Sequence, residues 1–240
     1  MPPTYPDSVG RERTSGFLRG VRLGSPIFLG YVPAGMAFGV LARTVGFSVF
    51  QAVVCSATAL AGAGQFIALD MLAGGATAIS VLVATSVVNL RYVLFGSTLS
   101  PYLRNEPLSA HAYLAFTLTD ETFAVNIADH REGRATRRSM AGVGAIAWTG
   151  WVLGTLVGAA GAALIGDPGR FGVAFAMPAM FTALFVALAE DRRHVLIGLV
   201  AAVIVVALPL LKYLGIPLAA SWYVVVSSML AATIGAVAYR

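Results

Sequence analysis

The chain has 240 residues, of which 58% are hydrophobic and 11% charged, with a mean hydropathy of +0.81 and a formal net charge of +5. A soluble domain carries about 25% charged residues, so this composition excludes a water-soluble particle and points to an all-α, polytopic helical membrane protein. The alternating ten-residue pattern of a membrane barrel is missing. The positive charge does not indicate a nucleic-acid partner either. Fifteen of the sixteen basic residues are arginines, and they stand mainly between apolar blocks, where charges set topology.

Residues 1–22 have no apolar core, so they are not read as a cleavable signal peptide. They read as a cytoplasmic tail, with a basic amphipathic surface helix over 11–22. Residues 23–240 read as one transmembrane domain. Blocks of about 20 apolar residues span a bilayer, and eight are expected, at 23–43, 48–72, 76–100, 108–128, 139–165, 171–189, 194–211 and 217–239. The alternative is seven, without the fourth.

The first block, "GSPIFLGYVPAGMAFG", holds two prolines and four glycines. Such breaks persist in lipid only where protein or a wet cavity satisfies the freed backbone. "AGAGQF" at 61–66 is a similar weak point in the second block, which also carries Gln65, Asp70 and the single cysteine, Cys55. One cysteine leaves no internal disulfide. Broken spans mark either a packing kink or a transporter site.

The third block contains "SVVNLRYVLFG", with Arg91 near its middle. A charge there costs about 2.5–3.5 kcal/mol on insertion scales. Its helical neighbours Val87, Val88, Phe95 and Thr98 offer almost nothing to five donors, so the partner must come from another helix or a ligand. Asn89 lies on a different helical face, and both reach one ligand only if the helix is locally irregular.

The fourth block carries Asp120 and Glu121. On a helical wheel Tyr113, Thr117, Asp120 and Glu121 form one polar sector, and His111, Thr119, Thr122 and Asn126 a second. Such a helix belongs inside a bundle, and Arg91 is expected to pair with Asp120 or Glu121. Two carboxylates against one arginine leave surplus negative charge, which makes one carboxylate a candidate for protonation. A zwitterionic amino acid also suits such a site, and a structural ion pair is the plainer alternative.

In the fifth block Gly150, Gly154 and Gly158 recur at four-residue spacing, a face for close helix packing. "FAMPAM" at 175–180 is a weak point in the sixth. With eight spans and the N-terminus inside, eleven arginines fall inside, against three arginines and Lys212 outside. Seven spans would put the clusters at 131–138 and 192–193 opposite the basic N-terminus. Both termini are therefore expected in the cytoplasm, and the arginine loops also suit anionic lipid.

No HExxH, CxxC, GxSxG or Walker sequence occurs, and "GVGAIA" lies in an apolar block rather than after a strand. No cofactor or metal site is expected, and no enzyme.

"GYVPAGMAFG", "GAGQF", "NLRYVLFGSTLSPYL" and "TDETFA" resemble AzlC-type permeases, the large subunit of bacterial branched-chain amino acid exporters. The resemblance runs over residues 20–130; beyond that only hydropathy and size match. It implies export of leucine, isoleucine, valine and methionine across the cytoplasmic membrane, with a small AzlD-type membrane subunit as partner. The matching motifs carry Gln65, Asn89, Arg91, Asp120 and Glu121 as substrate-binding or coupling residues. Phe95 stands where the family has a tyrosine. Phe38, Phe66 and Phe123 are candidates for the side-chain pocket. A passive pore for small polar solutes would instead show unsaturable flux, and a non-transporting membrane subunit would bind no ligand.

Overall fold

The computed structural model describes residues 16–104, 106–165, 191–214 and 223–238, with Thr182 and Phe185. The expected span at 171–189, its "FAMPAM" stretch and the tail before residue 16 lie outside them, apart from those two residues. The described residues are helical, with no strand. The chain divides into two units, Met1–Thr182 and Ala183–Arg240.

In the first unit α1 covers 16–23, α2 Ser25–Thr44, α3 Val49–Thr58, α4 Gly62–Ala73 and α5 Ala78–Asn89. Then come α6 (Arg91–Leu99, continued by a 3-10 turn to Leu103), α7 (Leu108–Phe116), α8 (Asp120–Arg131) and α9 (Arg137–Ile165). The unit is organised around α2 and α9. Gly20 abuts Ser139, Gly24 abuts Val143, Gly35 abuts Trp151 and Gly39 abuts Gly158, so the two helices run parallel. Gly150, Gly154 and Gly158 form the α9 side of this seam, facing Phe28, Val32 and Met36. A Cβ on Gly154 or Gly158 would collide with α2 backbone. The seam runs through Pro33 without breaking α2. The start of the seam belongs to α1, which lies against the first turns of α9 through Phe17 and Gly20.

Side-chain contacts give a depth to every other helix. Ser56 of α3 meets Thr155 at 2.7 Å, and the Trp148 indole donates to Ala57 O at 3.0 Å. α3 therefore descends from the far end, where α2 stops, to the middle of α9. Gly62 lies beside the Trp151 ring. Four residues later Phe66 meets Phe38, with ring centres 6.0 Å apart, and Phe38 lies two turns farther out on α2 than Tyr31. α4 thus climbs back to the end it came from. The span expected at 48–72 is a hairpin that reaches the middle and returns.

α5 then runs inward beside α4, bringing Asn89 against Gly64. Beyond a one-residue interruption at Leu90, α6 continues the same way, parallel to α8. Arg91 meets Asp120 at 2.9 Å, Phe95 stacks on Phe123 at 4.5 Å, and Tyr102 stacks on His130 at 4.4 Å. α7 enters from the basic end, with Glu106 ion-paired to Arg137 at 3.0 Å and Thr117 against Gly144. α8 leaves by that end, where Ser139 Oγ donates to Asp129 at 3.4 Å. The span expected at 108–128 is therefore a second hairpin, entering from the opposite end to the first.

Among the described residues, helices long and apolar enough to cross a membrane are Ser25–Thr44, Ala78–Leu103, Arg137–Leu164 and Arg192–Leu211. Replacing two crossings by two returns leaves the parity of the chain unchanged. The basic 131–138 stretch stays level with α1, and Arg104 moves to the same end.

Asp129 ties that end together. The Arg19 guanidinium donates to both of its oxygens, one at 2.9 Å, and to Arg134 O at 3.1 Å. This pairing holds the buried Asp129 carboxyl below the usual carboxylate range. In the second unit α10 (Arg192–Ala207) packs on α11 (Tyr223–Ala238). Asp191 caps α10, accepting from the backbone N–H of Arg193 at 2.9 Å and His194 at 3.0 Å.

Candidate functional site

Three helix interruptions meet at one depth: residues 59–61, Leu90, and residues 117–119. Between them, against Tyr31 and Trp151 of the α2–α9 pair, is a cavity of about 10 Å³. Its wall includes Gly62 and Ala63, Arg91 and Tyr92, and Asp120 and Glu121, the first two residues of α4, α6 and α8 respectively. The starts of α4 and α8 leave backbone N–H groups without intrahelical partners and carry partial positive charge, whereas α6 continues from α5 through the helical Leu90.

Local chemistry builds these starts. Thr119 caps α8: its hydroxyl accepts from the Thr122 N–H at 3.2 Å, and Thr122 Oγ1 accepts from the Thr119 N–H at 2.8 Å. This capping box halts the helix in mid-run and sends Asp120 and Glu121 into its first turn. The polar sectors drawn on one continuous wheel are thus split between two helices. At Leu90 the N–H bonds to Val87 O at 3.2 Å, a tighter turn that ends α5. Asn89, the last residue of α5, lies against Gly64, and the cavity wall includes Arg91 without it.

The charged groups are paired with each other. Arg91 Nη2 contacts Asp120 Oδ2 at 2.9 Å, and the guanidinium lies over the Tyr92 ring, 5.2 Å from its centre. Glu121 takes a different partner: the Tyr31 hydroxyl lies 2.5 Å from its Oε2 and 2.8 Å from Thr119 Oγ1. Of the two partners expected for Arg91, the structure pairs it with Asp120. Arg91 Nε and Asn89 Oδ1 are buried without a hydrogen-bond partner among the described residues.

Gln65 is held beside this cavity rather than in its wall. Its Oε1 accepts from the Trp151 indole at 2.8 Å, and its Nε2 lies 3.4 Å from Cys55 Sγ and 3.5 Å from Ser56 Oγ. It fastens the two arms of the first hairpin to α9. Asp70 is exposed on α4, and His111 is half-buried with Nδ1 3.1 Å from Pro107 O. Phe38 and Phe66 pack round Trp151, and Phe123 stacks on Phe95; the cavity's apolar wall is Leu60, Tyr92 and Trp151 instead. The sequence reading missed Tyr31, Tyr92 and Trp151. Tyr31 stands two residues before Pro33, inside a motif already singled out, but nothing local tells such an aromatic from plain core.

A family model described as AzlC protein matches residues 26–165. The chain belongs to the AzlC family. The match takes in both hairpins and extends through α9, past the motifs recognisable by eye. The inner membrane protein YgaZ of Escherichia coli is 32% identical over 83% of this chain and 86% of its own length. An uncharacterized membrane protein of Archaeoglobus fulgidus is 30% identical over 76% of this chain and 80% of its own. The branched-chain amino acid transport protein AzlC of Bacillus subtilis is 28% identical over 70% of this chain and 66% of its own. No solved structure matches the chain. This AzlC-family chain is accordingly a multi-pass membrane protein of transporter type.

Proposed function

We propose that the chain is a secondary transporter that exports branched-chain amino acids, and methionine, across the bacterial cytoplasmic membrane together with a small AzlD-type subunit. The observation that carries this reading is the meeting of the starts of α4 and α8 and the Leu90 turn around one arginine and two carboxylates. Helix starts and Arg91 suit a carboxylate. Asp120 and Glu121 suit an ammonium group. Leu60, Tyr92 and Trp151 offer an aliphatic side chain an apolar wall. The basic end, with α1, Arg134 and Arg137, faces the cytoplasm by the positive-inside rule.

A cavity of about 10 Å³ has room for about one water, so an amino acid enters only when the hairpin tips part. The ionic groups then exchange partners: Arg91 leaves Asp120 for the substrate carboxylate, and the amine takes the freed acid. Each charge keeps a partner throughout, which avoids the several kcal/mol cost of a lone buried ion. Gln65 and Asn89 hold the backbone breaks in place. The chain has no nucleotide-binding sequence, so a gradient drives the cycle, with Asp120 or Glu121 as proton carrier.

Efflux of labelled leucine from vesicles carrying the chain and its small neighbour tests this. Saturable, gradient-sensitive efflux is expected, lost by about 100-fold or more, the equivalent of about 3 kcal/mol, in Arg91→Ala. Full pH-driven uphill transport in both Asp120→Asn and Glu121→Gln would remove proton coupling. Normal efflux from a well-inserted Arg91→Ala protein would remove the site.

A further inference from the structure

A second cavity, about 460 Å³, opens between α7 and the first turns of α9. Its inner wall is apolar, from Ala110, Leu114, Ala141 and the ring of Tyr113, whose hydroxyl donates to Ala141 O at 3.1 Å. Two arginines border it, Arg137 and Arg138. Arg137 is neutralised by Glu106 at 3.0 Å. The half-buried Arg138 has no acceptor among the described residues.

Depth decides what can fill such a groove. The apolar helix Arg137–Leu164 has 28 residues and is about 42 Å long at 1.5 Å per residue. The hydrocarbon layer is about 30 Å thick, so the first turns of α9 lie among lipid headgroups. There, a cationic mouth on an apolar trough matches an amphiphile with an anionic head. Leu108, 83% exposed at the start of α7, continues the apolar surface outward.

We propose that this groove binds one anionic phospholipid, its phosphate on Arg138 and an acyl chain along Ala110, Leu114 and Ala141. The ligand wedges between α9 and α7, the outer arm of the hairpin that carries Asp120 and Glu121. Occupancy therefore bears on how freely that hairpin moves.

The test is lipid retention by the purified full-length protein. It is incubated in micelles containing equal phosphatidylglycerol and phosphatidylethanolamine, and bound lipid is counted by mass spectrometry. Phosphatidylglycerol should be retained preferentially, and Arg138→Gln should lower its retention about fivefold, the usual weight of one arginine near an anionic surface. Ala141→Trp, which fills the trough and leaves the charge, should lower it as well. Arg104→Gln, at the same end but outside the groove, should leave it unchanged, and millimolar inorganic phosphate should not displace the lipid. Equal loss in Arg104→Gln and Arg138→Gln would mean only diffuse attraction and would overturn the proposal. So would unchanged retention in Arg138→Gln or in Ala141→Trp.

Discussion

The hairpins α3–α4 and α7–α8 reach the same depth from opposite ends but are built from different chemistry. The first has an uncharged tip of alanine, leucine and glycine, anchored by Gln65 between Trp151 and Ser56. The second has a threonine cap followed by two acids, which meet Arg91 and Tyr31. One hairpin supplies close packing and backbone N–H groups, and the other supplies charge. Their difference suggests that a change in the first should register as stability, and a change in the second as transport.

The sharpest test of that division is Asp120→Ala. It removes the carboxylate that meets Arg91 at the cavity wall, and transport should fall about 100-fold, the equivalent of about 3 kcal/mol in the barrier, while the protein still inserts. Gln65→Met should do the reverse. It strands the Trp151 N–H, costing about 1–3 kcal/mol, which a thermal-stability assay would read as a lower melting temperature, with efflux within a few-fold of normal. Efflux loss in Gln65→Met as deep as in Asp120→Ala would dissolve the distinction.

Tyr31→Phe should fall between these effects. It removes the hydroxyl that bridges α2 to Glu121 and Thr119 but keeps the edge contact with Trp151, 5.3 Å between ring centres. Efflux about tenfold slower, the weight of one hydrogen bond to a charged group, is the expected outcome. The smallest effect concerns the base of the second hairpin. Arg19 depresses the Asp129 carboxyl, so the stability from this pair is full above about pH 4 and is lost as pH falls further. Asp129→Asn should cost about 1 kcal/mol at neutral pH, allowing for the exposure of Arg19. It should also flatten the acid side of the melting-temperature profile.

Much of this architecture is legible in the residues. Composition identifies a helical membrane protein, and "AGAGQF" marks one of the three breaks. Arg91 demands a partner, which the structure supplies from one of the two acids named for it. Direction was not legible. Hydropathy measures the length of an apolar run, and residues 48–72 are equally long whether they cross or double back. One signal of the second hairpin does stand in the residues. Thr119, with acids at the next two positions and Thr122 closing the box, is a helix-start pattern inside a run read as one helix. Tyr31 and Trp151 are not legible as wall residues because their role depends on segments about 30 or more positions away.

The seam between α2 and α9 has a consequence for how the chain is made. Gly35 lies against Trp151 and Gly39 against Thr155, positions 116 residues apart in both cases. At about 5–20 residues per second, α2 leaves the ribosome roughly 6–23 s before its neighbour exists. During that interval its glycine face has no matching surface within this chain. Both hairpins, whose tips rest on Tyr31 and Trp151, are synthesised before the helix that supports them is complete. Assembly of the central cavity therefore waits for α9, and truncation before α9 should leave inserted helices without a site.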